Sequence, residues 1–260
     1  MSKPKGYVDP EYLRMGARIA DQVKRHSYTL MRIEAGHKVL DIGCGPATDT
    51  IPLASLVGPT GQVLGVDYDG AMIAEADQRA KEAGVSAWVN HRHADAMLLP
   101  FGPGYFDSCR SERLFQHLLN PVQALAEMTR VTKSDGWIVV LDTDWGTMST
   151  DTAEVDIERR LVRFWAEGHL YNGYSGRQLY RLFKRQGMSD ILIEMFPFYF
   201  TDYALARRAM VADTTEQEAV KAGIITEDEL RRWHTDLEEA DAEGVFFCSL
   251  SQMLVAGRKA

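Results

Sequence analysis

Short apolar runs alternate with stretches of helical periodicity along most of the chain. Val39–Ile42 and Gln62–Val66 read as buried strands, as do the segments near Ala87–His93, Tyr105–Arg110 and Ile138–Asp142. Between them, Met72, Ile73 and Ala76 mark one face of a helix over Gly70–Ala83, and Ala124, Leu125, Met128 and Val131 mark another. A strand–helix alternation of this kind predicts an α/β domain on a mostly parallel sheet. Ahead of it, Leu13, Ala17, Ala20, Val23, Leu30 and Ile33 are spaced for a leading helix over Asp9–Ile33. Behind it, helices are expected over Thr150–Gly168 and Ser175–Gln186, with Ser175 as cap. Ile191–Phe200 follows as a strand, Thr201–Glu243 as a charge-rich helical segment, and Gly244–Val255 as a last strand. Thr226-Glu227-Asp228-Glu229 matches a capping box.

The turn after the first strand carries the chemistry. Gly43, Cys44, Gly45 and Pro46 turn the chain, and Asp49 is placed to cap the helix through Ile51 and Leu56. Glycines between a strand and a helix let backbone N–H groups approach a ligand where side chains would clash. The second strand ends in Asp67, where a carboxylate takes the hydroxyls of a ribose in folds of this type. A nucleoside-containing ligand is therefore expected. A dinucleotide fingerprint needs a third glycine, and that position is Thr48; no G-x-x-x-x-G-K-[ST] loop occurs. Asp41, at the strand end, would repel a pyrophosphate and suits a cationic ligand.

Asp41-x-Gly43-x-Gly45 followed by an acidic second-strand end resembles the S-adenosylmethionine (SAM) site of class I methyltransferases. Ala94-Asp95-Ala96-Met97 before Leu99-Pro100-Phe101 continues the likeness, as does the order of strands over about residues 36 to 145. The small-molecule methyltransferases typified by quinone-biosynthesis C-methyltransferases are the most similar group. The resemblance implies a Rossmann-like α/β fold with a seven-stranded, mostly parallel sheet, an antiparallel last strand and helices on both faces. It implies an N-terminal helical lid (1–35), a SAM-binding core (36–200), a helical cap insertion (201–243) and a closing strand (244–260). Asp41 would lie near the methionine amino group, Gly43 and Gly45 would line the cofactor, and Asp67 would hold the ribose. Tyr68 and Met72 would flank the adenine ring, and Asp95 and Ala96 would meet its amino group. Arg110 and Glu112, which begin the loop after the fourth strand, suit a cofactor contact or a local ion pair rather than proton transfer.

Methyl transfer from a sulfonium needs alignment and desolvation more than acid–base machinery. His117 and Asp144 are the candidate catalytic groups: His117 follows the fourth strand, and Asp144 follows the fifth within Asp142-Thr143-Asp144-Trp145. Tyr12, Tyr28, Trp145, Tyr171, Tyr174, Phe198 and Tyr199 are candidate substrate contacts. Arg110-Ser111-Glu112-Arg113 stands where nucleobase methyltransferases carry [DN]-P-P-[YFW], which turns the expectation toward a small-molecule acceptor. A SAM-binding protein without transfer activity and a nicotinamide-dependent oxidoreductase remain as other readings of the same core.

Composition narrows the partners. With 37 acidic against 29 basic residues and a net charge of −8, the chain has no bulk attraction for nucleic acid or an anionic membrane. Arg207-Arg208 and Arg231-Arg232 read as solvated helix faces. Three scattered cysteines read as reduced thiols, and no metal site is expected, since His91-x-His93 is too short a signal. The first residues lack an apolar signal core and no run is long enough to span a membrane, so a cytoplasmic protein is expected. The amphipathic cap helices offer a surface for a homodimer.

Overall fold

The computed structural model describes residues 21–260. Tyr12 and the first half of the expected leading helix lie outside the described residues. What is described of that helix is α1 (Asp21–Leu30). The chain continues through β1 (Lys38–Ile42), α2 (Thr50–Val57), β2 (Gln62–Asp67), α3 (Gly70–Glu82), β3 (Val89–His93), β4 (Phe106–Glu112), α4 (Pro121–Val131) and β5 (Thr132–Thr150). Then come α5 (Val155–Phe164), α6 (Ser175–Arg185), β6 (Ser189–Phe200), α7 (Tyr203–Met210), α8 (Ala212–Lys221), α9 (Glu227–Ala242) and β7 (Cys248–Arg258).

Among the described residues these strands form one seven-stranded sheet in the order β3-β2-β1-β4-β5-β7-β6. The first five run parallel, and β7 lies antiparallel between β5 and β6. The fold is the expected Rossmann-like α/β sheet with an antiparallel last strand. Successive strand residues face opposite sides, so continuous apolar runs bury both faces. Leu40, Ile42, Cys109, Ile138 and Val140 pack against α4 and α6 through Leu125, Met128, Leu179 and Phe183. Val39, Val63, Val139 and Leu141 pack against α1 and α2 through Val23, Tyr28, Leu53 and Val57.

A third apolar cluster lies beyond the carboxyl end of β5. The expected strand stops at Asp142, but β5 continues to Thr150 because β7 supplies a ladder partner, with a register shift between Asp144 and Ser149. A bulge of this kind carries a strand past polar residues that read as loop. Met148, Phe200 and Cys248 from the extended strands meet Tyr203, Ala206, Trp233 and Leu237 of α7 and α9. Ile157, Leu161 and Trp165 join the same cluster. Residues 151–170, expected to belong to the core segment, therefore pack with the 201–243 helices.

Two caps differ from expectation and one agrees. Asp49 precedes α2 without making a side-chain capping bond, and Tyr174 rather than Ser175 stands at the start of α6. Both polar side chains are drawn inward by stronger partners, as described below. Thr226 and Glu229 form the complete capping box of α9. No described helix is long and apolar enough to cross a membrane.

Candidate active site

The carboxyl ends of β1 and β2 are joined by the glycine turn. Gly43 N–H and Cys44 N–H both donate to the Val66 carbonyl, at 2.8 and 3.0 Å. Gly43 has φ +75, and a Cβ there would press on Leu114 at 3.2 Å, so the position suits only glycine. Asp67 ties the turn to the next segment: Oδ2 accepts from Gly45 N–H and Oδ1 from Asp69 N–H, both at 2.9 Å. Burial raises the Asp67 carboxyl above its usual range, against those two N–H groups. Tyr68 is exposed with its ring 5.7 Å from that of His93, and Met72 is buried. Asp95 accepts from Met97 N–H at 2.8 Å, and Ala94 N–H bonds the Asp67 carbonyl. The residues expected around a nucleoside thus gather at adjoining strand ends.

Beside them lies a buried charged cluster. Arg110, 1% exposed, reaches from β4 to Asp49 at 2.6 Å, Glu112 at 2.9 Å and Asp41 at 3.4 Å. Lys24 of α1 bonds Asp49 and Glu112, each at 2.6 Å, and Tyr28 Oη–H donates to Asp49 at 2.5 Å. Asp49 is therefore an ionic partner rather than a helix cap. Burial alone would raise its pKa, but the adjacent Arg110 and Lys24 outweigh that and hold it well below the carboxylate range. Asp41 has only the distant guanidinium, so burial wins and pushes its carboxyl up to about 7. Among the described residues, Asp41 Oδ2 and Arg110 Nε have no hydrogen-bond partner. Tyr28, expected at the substrate, is instead buried under the Arg110 guanidinium. Burial and the Asp49 charge raise its phenol pKa strongly.

The ends of β4 and β5 hold the candidate catalytic groups. Asp142, fully buried, accepts from Phe115 N–H at 2.7 Å, Thr143 N–H at 2.9 Å and Ser175 Oγ–H at 2.8 Å. This is what draws Ser175 away from capping. Burial raises Asp142 to about 7 despite those donors. The short 3₁₀ turn Phe115–His117 is thereby tethered to β5. Within it, His117 Nε2 lies 3.0 Å from Gln116 Nε2, and Gln116 Oε1 accepts from Trp145 Nε1–H at 2.7 Å. Trp145 N–H also bonds the Gly173 carbonyl.

Asp144 does not stand at a pocket mouth. It is 2% exposed beneath the start of α6 and pairs with Arg177 at 2.5 Å. Tyr174 lies against that Arg177 and donates to Glu167 at 3.1 Å, while Tyr171 is exposed nearby in sequence. Phe198 and Tyr199 are successive strand residues and face opposite sides. Phe198 packs on the α1 face, whereas Tyr199 stacks on Phe247 at 6.2 Å. They do not line one pocket. The local ion pair expected of Arg110 and Glu112 is present at 2.9 Å, but the sequence reading missed Lys24, Gln116 and Asp142 as members of these networks. The contacts that define their roles are distant in sequence (Lys24 to Glu112 spans 88 positions, Asp142 to Ser175 33 and Gln116 to Trp145 29), so only the periodic inward position of Lys24 could have signalled them.

A glycine turn, an acidic first-strand end and an acidic second-strand end on this sheet define a nucleoside-binding Rossmann-like protein of the methyltransferase kind. Residues 33–187 match the model of the methyltransferase domain family, and the chain belongs to that family. An uncharacterized 37.1 kDa protein in transposon TN4556 of Streptomyces fradiae is 31% identical over 223 residues, covering 86% of this chain and 63% of the relative. The demethylmenaquinone methyltransferase of Bacillus cytotoxicus is 35% identical over 125 residues, 48% of this chain and 52% of its own. The chain thus spans less than two thirds of either relative. Geranyl diphosphate C-methyltransferase from Streptomyces coelicolor, solved with Mg2+, geranyl-S-thiolodiphosphate and S-adenosyl-L-homocysteine, superposes with a TM-score of 0.60 at 17% identity. That match covers 94% of this chain and 77% of the other.

Proposed function

We propose that the protein is a SAM-dependent methyltransferase acting on a small-molecule acceptor. The observation that carries this reading is Asp41: a carboxylate buried at the end of β1, next to a positive-φ glycine turn, with Oδ2 lacking a partner among the described residues. A buried, unpaired acceptor is costly unless something completes it. An ammonium does so, and SAM carries one on its methionine end. Asp67 fits the ribose, because its two carboxylate oxygens offer more acceptor positions than the backbone N–H groups of Gly45, Asp69 and Tyr68 fill. Met72 and Tyr68 offer apolar surface to the adenine ring, and Asp95 offers an acceptor to its amino group.

When bound, SAM supplies an electrophilic methyl group on a sulfonium. The chain's own residues hold the cofactor, exclude water and align the acceptor. Arg110, Lys24 and Glu112 keep the floor beside Asp41 charged yet dry. His117, Gln116 and Trp145 occupy the ends of β4 and β5, where the extended sheet carries the cap cluster. An acceptor entering between these halves meets a polar turn on one side and aromatic surface on the other. That setting, with the methylated small molecules named for the relatives, supports a small-molecule acceptor.

Calorimetric titration with SAM, S-adenosyl-L-homocysteine and NADH tests this directly. Binding of the two adenosyl ligands without NADH is expected, followed by transfer of labelled methyl to a small-molecule acceptor. NADH binding with SAM silent would overturn the assignment. Tight SAM binding without turnover across acceptor classes would favour a binding protein on the same fold.

A further inference from the structure

Three features fix the Gln116 side chain. It is 6% exposed, so its amide is satisfied by protein groups rather than bulk water. An indole N–H can only donate, so the atom 2.7 Å from Trp145 Nε1 is the amide oxygen. The amide nitrogen is then turned toward the Arg113 carbonyl at 3.3 Å and toward His117 Nε2 at 3.0 Å. Both of its hydrogens are thereby assigned. A donor aimed at an imidazole nitrogen requires a lone pair on that nitrogen. Neutral histidine carries one proton, which must then sit on Nδ1.

The turn holding these residues is itself pinned. Asp142 receives the Phe115 N–H, and the Gln116 carbonyl accepts from Asn172 N–H at 3.0 Å. Trp145 in turn is held through its backbone to Gly173. The chain Trp145 to Gln116 to His117 therefore runs in one direction of donation, from an indole that cannot reverse it.

We propose that Gln116 is a positioning residue that locks His117 as its Nδ1–H tautomer and so removes His117 from the role of general base. The inference rests on the methyltransferase reading for its functional meaning, although the tautomer does not. With Nε2 occupied by an amide hydrogen and Nδ1 protonated, His117 has no lone pair left to take a proton from the acceptor. His117 then acts by shape and position rather than by taking a proton. The acceptor it suits is one whose nucleophilic lone pair exists before transfer, such as a neutral amine or an already ionised phenol or enol. A neutral alcohol, which needs a base, is disfavoured.

Nitrogen-15 NMR of the histidine rings in the full chain tests this without any substrate. The wild type is expected to show His117 with a pyridine-type Nε2 and a pyrrole-type Nδ1. Gln116→Glu should invert the pattern: its carboxylate still accepts from Trp145 but now also accepts from the ring, drawing a proton to Nε2. Gln116→Leu should leave a mixture of tautomers, and Trp145→Phe should loosen the preference. In Gln116→Glu, kcat/KM should also gain an ionisation absent from the wild-type pH profile, an effect that simple loss of packing would not produce. A protonated Nε2 in the wild type, or an unchanged tautomer in folded Gln116→Glu, would overturn the proposal. Failure of the methyltransferase reading would appear separately, as absence of SAM binding with the tautomer intact.

Discussion

Two buried carboxylates, one in each half of the molecule, are treated in opposite ways. Glu216 in α8 of the cap is 3% exposed and saturated. One oxygen accepts from Trp233 Nε1–H at 3.1 Å and Arg207 at 3.2 Å, and the other from Arg207 at 2.8 Å and His234 at 2.9 Å. Asp41 in the α/β half is equally buried but has, among the described residues, one guanidinium at 3.4 Å and an oxygen without a partner. A saturated buried charge holds elements together, whereas the open oxygen of Asp41, beside the glycine turn, leaves an acceptor for a ligand. Burial alone does not separate the two kinds, since Asp144 Oδ1 under α6 is also unsatisfied among the described residues.

The largest effect is expected from removing the saturated group. Glu216→Ala leaves Trp233 Nε1–H without its acceptor and Arg207 with Asp213 as its remaining acidic partner, and should cost about 3 kcal/mol of stability, read from denaturant unfolding. SAM affinity per folded molecule should be unchanged. Asp67→Ala should instead weaken SAM binding by about 1.5–3 kcal/mol while barely moving the unfolding midpoint. Asp41→Asn sharpens the contrast, because it removes a charge that the ligand-free protein does not satisfy. Its stability should be equal or higher and its SAM affinity lower. If Asp41→Asn destabilised the protein as much as Glu216→Ala, the two carboxylates would be equivalent and the distinction would fail.

pH separates the groups by sign. Burial keeps Asp41 and Asp142 protonated up to about pH 7 in the folded chain, well above the ordinary aspartate range. The native state then holds more protons than the unfolded one, so their contribution to stability declines as pH rises from about 4 to about 7. Asp49 is depressed, so its contribution is present above its unfolded pKa and is lost as pH falls through the folded value. Thermal unfolding of the ligand-free protein should therefore show a loss toward neutrality that Asp41→Asn reduces. The smallest effect is local: Thr226→Ala removes the α9 capping box and should cost about 1 kcal/mol.

How much of this was legible in the chain follows from where the partners lie. The first four strands and their helices were readable, since apolar runs and 3.6-residue periodicity are local. Asp41, Gly43, Gly45 and Asp67 were readable because the turn and strand ends impose fixed spacing. The length of β5 was not, because Asp142-Thr143-Asp144-Trp145-Gly146 is polar and broken by glycine. Only pairing with β7, about a hundred residues on, makes it a strand. Asp49 and Ser175 were misread as caps for the same reason: their chosen partners, Lys24 with Arg110 and Asp142, are distant in sequence. Tyr28 and Asp144 look like pocket-facing residues by position, but long-range partners bury them, Tyr28 against Asp49 and Asp144 against Arg177.

The most direct measurement is calorimetric titration of SAM into the wild type and Asp41→Asn at about pH 6 and about pH 8. If the unpaired Asp41 carboxylate receives the methionine ammonium, the wild type should bind more tightly at the higher pH, where Asp41 has lost its proton. Asp41→Asn should bind more weakly and lose most of that pH dependence. Equal SAM affinity of the two proteins at both pH values would contradict the role given to Asp41, and with it the observation on which the proposed function stands.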